Sequence, residues 1–369
     1  MLPFLRSDLA ALKAYQPHPP IPEPYDQLDT NESPIDLPDE VKAALATQYQ
    51  HQIQSNRYPD GGHTALKQAI ATYVAEASVE VTAANISVGN GSDELIRSLL
   101  IATAIGNGAV LVASPTFSMY GILASTLGVP VIDVGRQLDF QLDLNAAQTA
   151  LREHPIRVVF VVHPNSPTAN PLSTDEIAWL RQLPEDVLVV IDEAYFEFNQ
   201  HTLVTDSLSR SNWVVLRTFS KAFRLAAHRV GYAVAQPALI EALEKVRLPY
   251  NLPSFSQAAA LAALAHRSQL LSTVEIAIAE RQRMVTWLNA QPTLQTWPSN
   301  ANFIYCRLSD KALILLGMRP SEGLHHIFNQ LRQRGTLVRY TGGGLRISLG
   351  TVDENQRTRT NLETILTSL

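Results

Sequence analysis

Cysteine is almost absent: Cys306 is the only one in 369 residues. No disulfide can close within the chain, which argues against a stapled secreted scaffold and fits a reducing compartment. Long apolar runs are missing too. No stretch reaches the roughly 20 residues a membrane-spanning helix needs. The start "MLPFLRSDLAALKAY" carries neither a long apolar core nor a cleavage site, so a cytoplasmic protein with no membrane contact is expected. Positive charge is not in excess: net charge is -5, with Lys and Arg interspersed among Asp and Glu. Without a basic face the chain is not expected to bind nucleic acid, and small molecules are the expected partners. No internal repeat or low-complexity tract occurs, and no metal is expected.

What is present is apolar patterning. With 46% apolar residues the chain can bury one large α/β unit or two sub-domains. Residues 15 to 25, "YQPHPPIPEPY", are crowded with proline and should run extended as an arm. Beyond them, short β-branched runs ("NISV", "GAVLVA", "RVVFVV", "VLVVIDEA", "WVVLRT", "RVGYAVA") alternate with helical segments such as "SDELIRSLLIATAI" and "STDEIAWLRQL". That alternation predicts an α/β fold with a mostly parallel sheet buried on both faces. Ser173 and Glu176 have the spacing of a capping box. From about residue 270 the pattern becomes a long helix, a strand, a helix and the strands "TLVRY" and "GLRISLG", which suits a smaller α+β domain. The expected division is an arm over 1–35, a large domain over 36–268 and a small one over 269–369.

In open parallel sheets, ligands sit beyond the carboxyl ends of strands. Three informative segments follow strands here: "HPNSPT", "IDEAY" and "RTFSKAFRLAAHR". In the last, Thr218, Ser220 and Arg229 bracket Lys221 with hydroxyls and a guanidinium, donors suited to a phosphate. Asp192 and Tyr195 follow a very apolar strand. A carboxylate emerging there is costly to bury unless paired, and a cationic ring nitrogen is one suitable partner. In "SVGNGSDELI", glycines lead from a strand into a helix whose free N–H groups can hold a phosphate, although Glu94 replaces the third glycine of a dinucleotide fingerprint. Adjacent Asp93 and Glu94 would repel that phosphate unless their side chains turn away. An amine, a partner for a pyridinium and a phosphate clamp are together what pyridoxal phosphate requires.

The chain resembles the fold-type I aminotransferases and, within them, the histidinol-phosphate aminotransferases. "LDTNESP", "RYPDG", "GNGSDELI", "SPTFSMYG", "HPNSPT", "IDEAYFEF", "TFSKAFRLAAHRVGY", "LPYN" and "GLRISLG" occur in that family's order over nearly the whole length. The resemblance implies transamination between histidinol phosphate and 2-oxoglutarate, as in histidine biosynthesis, by a homodimer that uses pyridoxal 5'-phosphate. It implies that Lys221 forms the cofactor's Schiff base and then moves the proton. Asp192 would keep the pyridine nitrogen protonated, Tyr195 would bond the ring 3-oxygen, and Phe117 would stack on the ring. Gly91, Ser92, Asp93, Thr218, Ser220 and Arg229 would form the phosphate cup, reached by Tyr58 from the neighbouring subunit. Arg346 would bind a carboxylate, Arg339 and Tyr15 the substrate's own phosphate, and Asn31 would line the site. The family's "NPNNPTG" reads "HPNSPTA" here, which leaves the 3-oxygen contact to Asn165 or Ser166, with Asn165 the expected one. "LAAHR" departs from the family's "LAGLR" at Ala227 and His228. Two other activities fit the same cofactor: aromatic amino acid transamination, and decarboxylation of a phosphorylated amino acid.

Overall fold

The computed structural model describes residues 4–12, 25–77, 80–316 and 319–368. Among these, thirteen strands fall into three sheets. The largest contains β2 (Ile86–Asn90), β3 (Ala109–Ala113), β4 (Val131–Val134), β5 (Ile156–Val162), β6 (Leu188–Asp192), β7 (Trp213–Thr218) and β8 (Val230–Ala235), in the spatial order β2-β8-β7-β6-β5-β3-β4. Strands β4, β3, β5, β6 and β7 run parallel, and β8 lies antiparallel to both β7 and β2. The β-branched runs read as strands thus form a mostly parallel sheet.

Period-two alternation inside those strands divides the interior into two layers. Val189, Ile191 and Val215 pack into one apolar cluster, whereas Val190, Val214 and Leu216 pack into another on the opposite face. The "STDEIAWLRQL" helix spans Thr174–Arg181, and its capping box forms as its spacing predicts: Ser173 Oγ accepts from the Glu176 N–H at 3.3 Å, and Glu176 accepts from the Ser173 N–H at 2.6 Å.

The later part of the chain builds an antiparallel sheet from β9 (Leu294–Thr296), β10 (Phe303–Leu308), β12 (Arg339–Thr341) and β13 (Gly344–Ser348), ordered β12-β13-β10-β9. A separate apolar cluster, including Met284, Ile304, Leu331 and Ile347, backs it. The long helix preceding it runs Arg267–Asn289. The run "TLVRY" is not one strand. Thr336–Leu337 form β11, which pairs in parallel with β1 (Asp26–Gln27), while Arg339 begins β12 in the other sheet. Asp26 also receives both Nε and Nη2 of Arg357, so the segment before residue 31 is tied to the chain's last helix. No described helix is long and apolar enough to cross a membrane.

Candidate active site

Strands β6 and β7 end side by side, and the two groups central to the sequence reading leave from those ends. Asp192 is the last residue of β6 and shares the parity of Leu188 and Val190, so it faces the layer that holds Tyr120 and Phe160. Its Oδ2 accepts from the Tyr120 hydroxyl at 2.7 Å and its Oδ1 from the Ala194 N–H at 3.0 Å. Burial raises its pKa to about 6, against the pull of those two donors. Tyr120 itself stacks on Phe160, with centroids 4.6 Å apart, and meets Phe117 edge-on at 5.4 Å. Phe117 is thereby placed against Tyr120, whose hydroxyl holds the carboxyl.

Lys221 follows β7 by three residues. Its Nζ donates to the Thr30 carbonyl at 2.7 Å, and burial, helped by the charge of Arg346, lowers its pKa to about 8. Lys221 also lines a cavity of about 360 Å³ with Ser33, Phe198, Val274 and Asn302, whose wall includes neither Asp192 nor Tyr195. Tyr195 is buried, its hydroxyl accepting from Asn31 Nδ2 at 2.9 Å. Burial raises its pKa, while Arg346, Asn31 and Ser166 act to lower it.

The expected phosphate cup is a tight junction of three backbones. Gly91 opens the Gly91–Thr103 helix at φ +72°, a left-handed conformation that suits glycine, and a Cβ there would lie 2.7 Å from Arg229 Nη2. On β8, a Cβ on Gly231 would lie 2.5 Å from the Ser92 backbone nitrogen. Arg229 Nη1 reaches Ser220 Oγ at 3.4 Å, and Thr218 Oγ1 donates to the same oxygen at 2.9 Å. Gly91, Ser92, Thr218, Ser220 and Arg229 therefore converge. The acidic pair is accommodated by two different devices. Asp93 is 3.3 Å from Arg229 Nη2, whereas Glu94 folds back to accept from the Asn90 N–H and from Asn251 Nδ2.

Arg346 on β13 lies opposite both Tyr305 on β10 and Arg339 on β12, so all three side chains share one face of the sheet. Arg346 Nη1 donates to Ser166 Oγ at 3.1 Å and Nη2 donates to the Asp29 carbonyl.

Asn165 is tied into the surrounding loops. Its Nδ2 donates to the Pro115 carbonyl at 3.0 Å and to Thr168 Oγ1, and its Oδ1 accepts from Thr116 and Arg136. The amide is consumed in holding loops together, and the neighbouring Ser166 faces Tyr195 and Arg346 instead. Tyr58 is not brought to the site within the chain. It is 82% exposed and stacks on Tyr250 at 4.6 Å. Tyr15 lies outside the described residues. The residue that sequence reasoning missed is Tyr120, because an aromatic three positions into a helical run after Phe117 reads as core; the one available signal was its place in "SPTFSMYG".

As a set these groups fit pyridoxal phosphate. Asp192 is a buried carboxyl whose burial a cationic ring nitrogen would relieve, Lys221 is an amine with a neutral fraction near pH 8, and a helix N-terminus sits beside a guanidinium and two hydroxyls.

The family model for aminotransferase class I and II matches residues 25–361. A protein named histidinol-phosphate aminotransferase 2 from Nostoc sp. is 57% identical over 99% of this chain and 98% of its own length. A histidinol-phosphate aminotransferase of Trichodesmium erythraeum is 55% identical over 97% of this chain and 98% of its own. Among solved structures, the histidinol-phosphate aminotransferase of Sinorhizobium meliloti in complex with pyridoxal-5'-phosphate superposes with a TM-score of 0.81, at 24% identity, covering 93% of this chain and 91% of that one.

Proposed function

The chain belongs to the class I and II aminotransferases, and from that premise we propose that it moves the amino group of L-histidinol phosphate to 2-oxoglutarate with pyridoxal 5'-phosphate as cofactor. The observation that carries the substrate is the facing pair Arg339 and Arg346. Two guanidiniums on one face of the sheet can both donate to a dianion. Histidinol phosphate carries a phosphate-bearing carbon where an amino acid carries its carboxylate, so one arginine pair can hold the donor's phosphate and then the acceptor's carboxylate. An aromatic amino acid has no use for the second guanidinium.

Bound pyridoxal phosphate supplies an aldehyde that exchanges amines and a ring that takes up the electron pair left when the donor Cα loses its proton. Asp192, held between Tyr120 and the Ala194 N–H, keeps a proton at the ring nitrogen. Tyr195, oriented by Asn31, bonds the ring 3-oxygen, and Ser166 rather than Asn165 is near enough to assist it. Lys221 Nζ would take the Cα proton and return it two bonds away, on the far side of the transferred nitrogen. A pKa of about 8 leaves a useful neutral fraction of that amine at physiological pH. The N–H groups of Ser92 and Asp93, with Ser220 and Arg229, hold the cofactor phosphate.

The working protein is a cytoplasmic homodimer in this reading. Tyr58 and Tyr250 form an exposed stacked pair on the same chain. Two large aromatic rings left in solvent suit a surface that meets a second copy, where Tyr58 would reach the partner's phosphate cup. The division into an arm over 1–35, a large part over 36–268 and a small part over 269–369 is consistent with the separate sheets.

Absorption and turnover test the proposal together. The purified protein should show a band near the visible-violet boundary that is lost in Lys221→Ala, with turnover reduced by at least about 10³-fold. A protein that stays colourless after addition of the cofactor would overturn the reading. Amino transfer from phenylalanine exceeding that from histidinol phosphate, or carbon dioxide release without a keto product, would overturn the substrate or the reaction.

A further inference from the structure

Behind the sheet, on the face away from Tyr120, lies a cluster of charged groups that none of the chemistry above uses. Arg217 on β7 has the parity of Trp213 and Val215 and lies opposite Tyr232 of β8, in the same layer as Tyr73. Glu193 follows Asp192 directly. Arg217 and Glu193 are each 1% exposed. Arg217 Nε and Nη2 reach the same carboxylate oxygen of Glu193, at 3.0 and 2.9 Å. Thr202 Oγ1 accepts from Arg217 Nη2 at 2.7 Å and donates to Glu193 Oε2 at 2.9 Å, and the Leu203 N–H donates to Glu193 Oε1 at 2.6 Å. The guanidinium also lies 3.5 Å from the ring centroid of Phe196, the neighbour of Tyr195.

A buried ion pair adds little net stability over a well-packed apolar replacement, so stability alone does not account for this one. Its placement does. One guanidinium touches the residue after Asp192 and the residue after Tyr195, and it sits four positions before Lys221. We propose that Arg217 and Glu193 are positioning residues for the amino transfer: their ion pair locks the ends of β6 and β7 from behind and sets Asp192 and Tyr195 against Lys221. This rests on the roles given above to those three residues.

The cluster's charge supports the same assignment. A second carboxyl, Glu197, accepts from the Tyr73 hydroxyl at 3.0 Å, and burial raises its pKa against the pull of Arg217. Arg217 contacts Glu193 directly, and the charge of Glu193 acts on Asp192. Removing the guanidinium would expose the site to an uncompensated negative charge and favour protonated forms there.

The test compares Arg217→Gln, the double variant Glu193→Gln with Arg217→Gln, and Thr202→Val, each loaded with pyridoxal phosphate. In Arg217→Gln, kcat should fall by about 10- to 100-fold with KM for the donor within about threefold, since misplacement of reacting groups by an ångström costs on that order. The pH midpoint of the Lys221-dependent absorption band should move upward, and the double variant should bring it back while kcat stays low. A folded Arg217→Gln protein with kcat within about twofold of the parent and an unmoved midpoint overturns the proposal. Should Arg217→Gln fail to fold, Thr202→Val decides: it removes the hydroxyl both partners share, and unchanged kcat would overturn the role. Absence of the band in the unsubstituted protein would instead overturn the reading of the site itself, whereas a normal band with an unaffected Arg217→Gln overturns only the positioning role.

Discussion

At the scale of single residues, Asp192 carries a cost that its function requires. Its pKa rises from 3.8 to about 6 on folding, chiefly through burial, so the folded chain holds a proton that the unfolded chain has released. The sign follows: the stabilising effect of that proton is complete below about pH 4 and is lost as pH rises through about 6. Asp192→Asn should therefore make the cofactor-free protein more stable at pH 7 by about 3 kcal/mol, a gain that fades as pH falls through about 6 and is gone below about 4. Thermal unfolding at several pH values would measure it. The same change should reduce turnover, because the ring nitrogen loses its anionic partner. Substrate choice belongs to this scale as well. Arg339→Gln should raise KM for histidinol phosphate by about 10-fold or more while leaving KM for phenylalanine unchanged, as steady-state kinetics with the two donors would reveal. Asp192, Lys221, Ser220 and Arg229 were legible because a strand end followed by charge and hydroxyls is chemically unusual. Ser166 and Tyr120 were not. Which of two adjacent loop residues turns toward Tyr195 and Arg346 is decided by the loop's own hydrogen bonds, here those that bind Asn165 to Pro115 and Thr168. A tyrosine in an apolar helix shows its hydroxyl's partner only once the fold places Asp192 beside it.

At the scale of elements, the phosphate cup depends on how closely β8 approaches the start of the Gly91–Thr103 helix. Gly231→Ala would bring a methyl group within 2.5 Å of the Ser92 nitrogen, so the helix terminus must move. Cofactor affinity should fall by about 10-fold or more, readable as faster loss of the absorption band on dilution, while the rest of the sheet is left intact. The strands of the large sheet could be read from their β-branched runs, since burial on both faces leaves a continuous apolar signature. The break within "TLVRY" could not. Pairing of Thr336 with Asp26 joins residues far apart in the chain, and no local pattern records it.

At the scale of the whole molecule, the exposed pair of Tyr58 and Tyr250 predicts an assembly with consequences for dilution. Sedimentation should find a dimer, and Tyr58→Ala should weaken cofactor binding. A mixed dimer of Tyr58→Ala and Lys221→Ala chains should regain activity, because one of its two sites keeps both residues; mixtures without activity would argue against shared sites. The pairing of β1 with β11 has a bearing on how this protein is made. Lys221, Asp192 and Arg229 emerge from the ribosome well before Thr336 and Arg346, yet Asp29 and Thr30, whose carbonyls receive Arg346 and Lys221, belong to the segment that begins at β1. That segment waits through most of translation for its partner strand. The pocket for the substrate can be completed only when nearly the whole chain has been synthesised, so a ribosome that stalls before residue 336 releases a product with a nucleus of sheet and no working site.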